Sequence, residues 1–576
     1  MQEQQITAII LAATEMGGMG NDYFENKTRH LLPIADKPLI QHLIETVDKL
    51  EGVVKKYIII VEEKVEENEK KKPCEEVYNS IFGDRIGKDI ELLGQDPLTQ
   101  VGTFEVVRRY VEEDKKGNIF PILVLYGDTL VEEKFLEHII EQYHNEQQNS
   151  KIVWGFVESK KKMDKFVITK QSGDKNNDFW RITGNDIINI FEHPILRRDE
   201  SYDFLRDTGI MVISEDAWNN ILKLIKRIHR SSSIGLFSFV NILKQALVFK
   251  DIDIEDIKDV DIEIIGIVAS EDPEYPHWNE ANYPWEILEL NKIKIFELAK
   301  DAKWRDEEEK EIGNKTIFVP EKVNFALPNG ARIKGPCILG KNIEIQDYAI
   351  IENSYIGDGC KIGDHTLITD STLVKNVRVN HDAVVEKSII MENSVICFHA
   401  EVLHSIVGKE VMIGSGVKIP CQRLKNVEGF LFSISRDIKL EEDFNKGVFS
   451  EVLKDAFKTH GYSVDDNATI KKGKENEWVI SDEKMRKFFI RKEDDKLNIS
   501  EGRKTVYPLV TYFSDIGIKR TKKFGAIIGD YCQIGSGTVI HPGRRVGKRS
   551  KIYANCEILK NIKPSSVIRN KDMIEG

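Results

Sequence analysis

The chain has no run of about 18 apolar residues, the length a membrane-spanning helix needs. No apolar N-terminal segment precedes a small-residue cleavage site either. The expectation is a soluble, cytoplasmic protein with no membrane partner. Positive charge is not in surplus: 83 Lys and Arg stand against 95 Asp and Glu, a formal net charge of −12. Nucleic acid is therefore not expected as a partner, because a polyanion is drawn to a basic surface. Cysteine spacing is uninformative by design. Cys74, Cys337, Cys360, Cys397, Cys421, Cys532 and Cys556 lie far apart with no CxxC pair, which suggests neither a zinc site nor a disulfide framework. Several fall in the repetitive C-terminal region and are expected as small buried apolar residues.

What the sequence does have is a period. Ile528, Ile534, Ile540, Val546, Ile552 and Ile558 recur every six residues. A helix has no use for that spacing, and neither does a flat sheet. A coil with three short sides does, because each side turns one branched side chain into the axis. Gly529, Gly535 and Gly547 follow three of the aliphatics, as tight corners require. The same period opens at Ile333, Leu339, Ile345 and Ile351, restarts one residue early at Ile356, Ile362 and Ile368, slips again around Leu373 and Val379, and continues to about Ile419. Between 429 and 512 it is absent. FSEVLKDAFKTHGY there reads as a helix with Phe449, Val452, Leu453 and Phe457 on one face and Gly461 as its stop. WVISD, KFFIRKED and KLNISEG read as short strands.

The N-terminal half reads differently. ITAIILAA, YIIIVE and IFPILVLY are apolar runs of strand length. They alternate with helical patterns such as the one beginning near Leu39, which indicates an α/β domain with a mainly parallel sheet. Ligands of such sheets bind beyond the carboxyl ends of the strands, so the segments after Ala13 and Tyr126 are where a site is expected. The expected organisation is an α/β domain over 1–300, a linker over 301–316, a left-handed parallel β-helix over 317–428, an α+β insertion over 429–515, and a second β-helical part over 516–576.

Several motifs then occur in a recognisable order: LAA, LLPIADKPLIQH, QVGTFEVV, YGDT, WNEANYPWEILELN, and the late block KKFGAIIGDYCQIGSGTVIHPGRRVG. The chain resembles the sugar-1-phosphate nucleotidylyltransferases that carry a C-terminal left-handed β-helix, in particular the archaeal-type bifunctional uridylyltransferase and amino-sugar-phosphate acetyltransferase. The resemblance covers about 1–300, 320–428 and 516–570. It implies a Rossmann-like domain that moves a nucleotidyl group from a nucleoside triphosphate to a sugar 1-phosphate, releasing pyrophosphate with the help of Mg2+. It further implies metal ligation by Asp128 and Glu280, phosphate neutralisation by Arg29 with Lys27, and nucleotide contacts from Ala12, Ala13, Gly17, Gly18, Gly102 and Thr103. Glu192 and Asp207 fall at sugar-contact positions. A homotrimer packed through its coils is also implied.

Departures from the family pattern cluster at contact positions. The glycine-rich loop G-x-G-T-R reads Thr14-Glu15-Met16-Gly17-Gly18 here, and Arg29 stands where the family has Lys. The family Tyr-Gly is Lys165-Phe166, and its Asn-x-Gly is Asp207-Thr208-Gly209. The acetyltransferase His falls on Phe398, beside His399, and the Asn falls on Cys421. Three readings stay open. One is a nucleotidylyltransferase with an altered site. A second is a catalytically inactive regulatory or scaffold protein, by fold-level analogy with the gamma and epsilon subunits of the eukaryotic initiation exchange factor. A third is acyl transfer from acetyl-CoA in the coil groove, with His399 or His404 as base.

Overall fold

The computed structural model describes residues 5–13, 22–25, 28–62, 64–66, 69–71, 75–95, 103–113, 119–147, 149–158, 166–170, 179–183, 187–191, 202–228, 262–270, 277–301, 317–318, 327–422, 429–435, 451–459, 468–472, 477–481, 487–493, 496–501, 510–514, 517–521 and 523–569. The N-terminal half is built on a ten-stranded sheet. Its central strand, Ile6–Leu11, lies parallel to Val54–Glu62 on one side and to Ile122–Tyr126 on the other. A strand flanked this way is covered on both faces, which is why these segments read as nearly continuous aliphatic runs rather than alternating ones. Ile90–Gln95 extends the parallel part beyond Val54–Glu62. On the other side Tyr202–Ile213 runs antiparallel to Ile122–Tyr126 and to Lys151–Glu158. The helix Leu39–Asp48 covers one face with Ile40, Leu43, Ile44 and Val47, the three- and four-residue spacing that makes one helical stripe.

The C-terminal half is a left-handed β-helix of three sheets, each of eight short parallel strands. Its inward residues include the aliphatics of the six-residue period: Ile351, Ile368, Val385, Val402 and Ile419 stack in one column and Ile362, Val379, Ile396 and Ile413 in another, all buried. The slips in the period have a geometric cause. Before the insertion a full coil takes 17 residues, so one of its three sides is a residue short. After the insertion Gln533 pairs with Lys551 and Val539 with Glu557, full six-residue sides, until the last turn, where Lys551 pairs with Val567 and the coil is shorter again.

Within one sheet edge a polar ladder replaces an aliphatic one. Ser354, Ser371, Ser388 and Ser405 are fully buried. Each hydroxyl donates to the carbonyl two residues earlier, at 2.6–2.7 Å. Each also accepts the backbone N–H of the next coil, ending with Ala526 at 3.0 Å. That last step crosses the insertion, a jump of 121 residues where neighbouring coils are 17 apart. The backbone N–H of Phe524 donates to the carbonyl of Cys421 at 2.9 Å, so the chain leaves and re-enters the coil at nearly one place. The inserted residues form a five-stranded antiparallel sheet with the helix Glu451–Thr459. Leu453 and Phe457 of that helix pack with Trp478, Phe488 and Ile490 in a separate core. A hairpin, Val510–Ser514 with Gly517–Thr521, precedes the return to the coil.

One face of the prism is not free. Its outward residues Ile389, Ile406 and Ile527 are buried with Tyr23, Phe24, Leu32, Ile34, Leu130, Ile287 and Leu290 of the N-terminal half. The helix Pro284–Asp301 lies at this interface. Its buried Asn291 accepts from the N–H of Ala35 at 2.8 Å and from the Thr372 hydroxyl at 2.7 Å, tying both halves to one side chain.

Gly357 marks how tightly the coils stack. A Cβ there would lie 1.3 Å from the carbonyl oxygen of Val374 in the next coil. Gly357→Ala is expected to force neighbouring coils apart and lower stability by about 1–3 kcal/mol, read as a lower melting temperature by circular dichroism. An unchanged melting temperature would contradict this packing.

Candidate functional site

The strand order reverses at Ile6–Leu11, and the crevice beyond this point is where ligands of open α/β sheets bind. Ala12 and Ala13 lie there, both buried. The N–H of Gly127 donates to the carbonyl of Leu11 at 3.0 Å, and a Cβ at Gly127 would come 3.1 Å from that of Ala12. The two strand ends are thus held together, and Asp128 follows directly.

A short ribbon then brings the second carboxylate in. Thr129–Val131 pairs antiparallel with Trp278–Glu280, with Glu280 opposite Thr129, and the N–H of Ala281 donates to the Asp128 carbonyl at 2.9 Å. Asp128 and Glu280 are therefore neighbours despite lying far apart in sequence. Each carboxylate is paired with a guanidinium. Arg29 forms an ion pair with Asp128, both nearly buried. Arg206 Nη2 donates to Glu280 Oε2 at 2.8 Å and lies over the Trp278 ring, 4.7 Å from its centroid. Arg29 Nη1 also donates to Asn282 Oδ1 at 3.4 Å. Burying four charges is costly unless each finds a close partner, and here the two arginines neutralise the two carboxylates.

Below this cluster, Glu286 caps the helix Pro284–Asp301. Its Oε2 accepts the N–H of Asn282 at 2.8 Å and of Tyr283 at 3.0 Å, the backward half of a capping box. Burial drives its carboxyl up to about 7, against the opposing pull of Arg206. On the far side of Arg29, His30 is fully enclosed and bonded to Thr28 Oγ1 and Tyr78 Oη. Burial first, then the Arg29 charge, pushes its pKa down to about 3, so it stays neutral.

Magnesium takes hard oxygen ligands, mostly carboxylates and water. Asp128 and Glu280 are the right donor type. Both are already engaged by guanidinium groups, Asp128 by the buried Arg29 and Glu280 by the partly exposed Arg206. As folded, a divalent cation reaches this donor set only by displacing Arg29 or Arg206.

The other expected residues are placed unevenly. Asp207 is buried, and its Oδ1 accepts from Trp154 Nε1 at 2.7 Å and from the N–H of Gly209 at 2.8 Å. Gly209 has φ +69°, and a Cβ on it would meet the Tyr126 ring at 2.4 Å. Thr103 opens the helix Thr103–Glu113. Gly17, Gly18, Lys27, Gly102 and Glu192 lie outside the described residues. His399 and His404 are not brought together, since they sit at opposite ends of the strand Glu401–Leu403. His399 is exposed at a corner, 3.9 Å from Asp382 Oδ2. His404 is buried, 3.4 Å from Glu386 Oε1, and burial lowers its pKa. Arg206, Asn282 and Glu286 were not anticipated. Strand alternation gave the signal for the first: with Asp207 turned to Trp154, its neighbour Arg206 must project from the other face.

Residues 314–420 match the LbH domain of EIF2B subunit epsilon, and residues 525–560 match the bacterial transferase hexapeptide repeat. The chain is 26% identical over 293 residues to Bifunctional protein GlmU of Methanococcus maripaludis (strain C7 / ATCC BAA-1331), an alignment covering 49% of this chain and 53% of that protein. Against Bifunctional protein GlmU of Methanococcus vannielii (strain ATCC 35089 / DSM 1224 / JCM 13029 / OCM 148 / SB) it is 25% identical over 291 residues, covering 49% and 54%. The chain thus spans about half the length of these curated relatives.

Glu286 gives the cluster a pH signature. Unfolded, it ionises near 4.5; folded, it keeps its proton to about pH 7. Between those values the folded state holds the extra proton, so stability falls as pH rises, and above 7 this contribution is flat. Glu286→Gln retains an acceptor for both N–H groups and removes the slope. Denaturant melts at pH 5 and pH 7.5 are expected to show the wild type losing stability relative to the variant; parallel behaviour would contradict the assignment.

Proposed function

We propose that this chain, of the nucleotidyltransferase type with a C-terminal left-handed β-helix, is a nucleoside-triphosphate-binding subunit of an assembly and does not transfer the nucleotidyl group. One observation carries the reading: Arg29 and Arg206 neutralise the two carboxylates that would otherwise hold the catalytic metal. Phosphoryl and nucleotidyl transfer depend on a cation placed against the reacting phosphate. With both carboxylates engaged, an arriving ion finds no free carboxylate, and phosphate oxygens compete with Asp128 and Glu280 for the guanidinium groups. Arginine suits that role, since its planar fork matches phosphate geometry. The similarity of the coil to a domain of EIF2B subunit epsilon, by its name part of a multi-subunit protein, supports the assembly half of the reading.

In this reading Arg29, helped by Lys27, binds phosphate at the strand ends, and Ala12, Ala13, Gly17, Gly18, Gly102 and Thr103 line the nucleotide. The β-helix would serve assembly. One prism face is covered by the N-terminal half, so packing against other subunits, in a homotrimer or with different chains, falls to the remaining two faces and the insertion.

A second reading, a sugar-phosphate nucleotidylyltransferase using Mg2+, is favoured by the similarity to the bifunctional GlmU proteins and by Asp128 at the strand end. It requires both ion pairs to open when substrate and metal arrive, with Glu192 and Asp207 meeting the sugar. Acyl transfer from acetyl-CoA has thinner support, because His399 and His404 lie apart and His404 is enclosed.

Pyrophosphate release separates the first two readings. The purified chain is incubated with magnesium, each nucleoside triphosphate and a panel of hexose and amino-sugar 1-phosphates. No release from any pair is expected. Release with one defined pair would overturn the proposal, and Asp128→Ala would then be expected to abolish it.

A further inference from the structure

The N-terminal segment Asp22–Glu25 is bound into the wall of the β-helix. The N–H of Asp530 donates to the carbonyl of Tyr23 at 2.8 Å, and the N–H of Lys548 to that of Asp22 at 2.9 Å. These are ladder bonds of the kind that join one coil to the next, made here to a piece of the other domain. The Asp530 side chain adds a bond of its own. It is fully buried, its Oδ2 accepts the N–H of Glu25 at 2.8 Å, and its Oδ1 accepts the N–H of Lys409 at 2.9 Å in the preceding coil. A single carboxylate therefore pins a coil and the N-terminal domain at once. The surroundings fit the segment closely. A Cβ on Gly529 would meet the Tyr23 carbonyl at 2.8 Å. Arg545 lies over the Tyr23 ring, 5.3 Å from its centroid, and Arg549 Nη2 donates to Glu25 Oε1 at 2.8 Å. Phe24 is buried in the apolar seam between the two halves.

Arg29 stands four residues beyond Glu25, and Thr28 and His30 on either side of it are locked by their own bonds. Two residues of chain, 26 and 27, separate the bound segment from Thr28. Resting on the nucleotide-binding reading of that site, we propose that Asp530 is a positioning residue for Arg29: the β-helix, after the insertion, sets where the N-terminal phosphate cation stands. The carboxylate accepts two part-buried backbone N–H groups, and a donor left without its acceptor there is disfavoured. Losing it releases the segment at Glu25 while the remaining coil ladder still closes. Because Phe524, Ile527 and the hairpin residue Val510 share the same apolar seam, strain applied at the insertion reaches the segment through one contiguous set of packed residues.

The test uses the full chain, with Asp530→Ala and the isosteric Asp530→Asn. Amide hydrogen exchange, without ligand, is read for peptides spanning 22–32 and for coil peptides within 345–400, which exclude Lys409, itself bonded to Asp530. Loss of protection at 22–32, with the coil peptides as protected as in the wild type, is expected. Unchanged protection at 22–32 overturns the proposal. Equal loss in the coil peptides of both variants also overturns it, because Asp530 would then be a residue of coil stability alone. ATP affinity by calorimetry gives the functional readout: at least a tenfold weakening in Asp530→Ala, with Asp530→Asn less affected, is expected. If wild type binds no triphosphate, the reading of the site fails, and the exchange result still decides whether Asp530 holds the segment.

Discussion

Charge buried at a strand end must be compensated where it stands, and this requirement shapes the N-terminal half. Asp128 and Glu280 are brought together by backbone pairing, not by mutual attraction, since two carboxylates repel. Arg29 and Arg206 make the arrangement tolerable. The remaining polar groups serve the same end. Asn282 accepts from Arg29, and Glu286, a third carboxyl close by, is kept protonated near neutral pH instead of adding another charge. A site built this way is balanced before any ligand arrives. In the proposed reading, what it recognises is a group able to compete for the guanidinium forks, as phosphate is.

The β-helix contributes in a different manner. Its stability comes from repetition: aliphatics inside, serine hydroxyls relaying from coil to coil, and short parallel strands whose ladder runs past the insertion unbroken. That regularity makes it a stiff wall, and the N-terminal half is fastened along it by an apolar seam, by Asn291 and by the Asp530 carboxylate. The segment leading to Arg29 is part of the fastening. Site and wall are consequently parts of one construction, with the insertion entering at the seam.

Much of this was legible in the residues. A six-residue aliphatic period has few structural solutions, so the coil could be read directly, and even its slips carried information: each marks a coil side one residue short. The α/β half was legible from its doubly buried strands, and Asp128 from its place after one of them. The charge balance was not. The resemblance makes Glu280 a metal ligand but says nothing of the ribbon and Arg206 that pair with it, and Arg206 itself is hidden in a long strand where only alternation distinguishes it from Asp207. Asp207 sits at a position that suggests a sugar contact, yet its Oδ1 is spent on Trp154 and Gly209. Pairings across such separations depend on the tertiary fold and leave no local pattern.

The central claim is that two arginines stand in for the metal. Calorimetric titration of ATP, run once with excess magnesium and once with a chelator, tests it most directly. The account predicts binding in both conditions, because the phosphates meet cations of the protein, Arg29 with Lys27, and need no metal. A triphosphate that binds only when magnesium is present would show that the carboxylates do release their arginines to hold the ion, and would contradict the account.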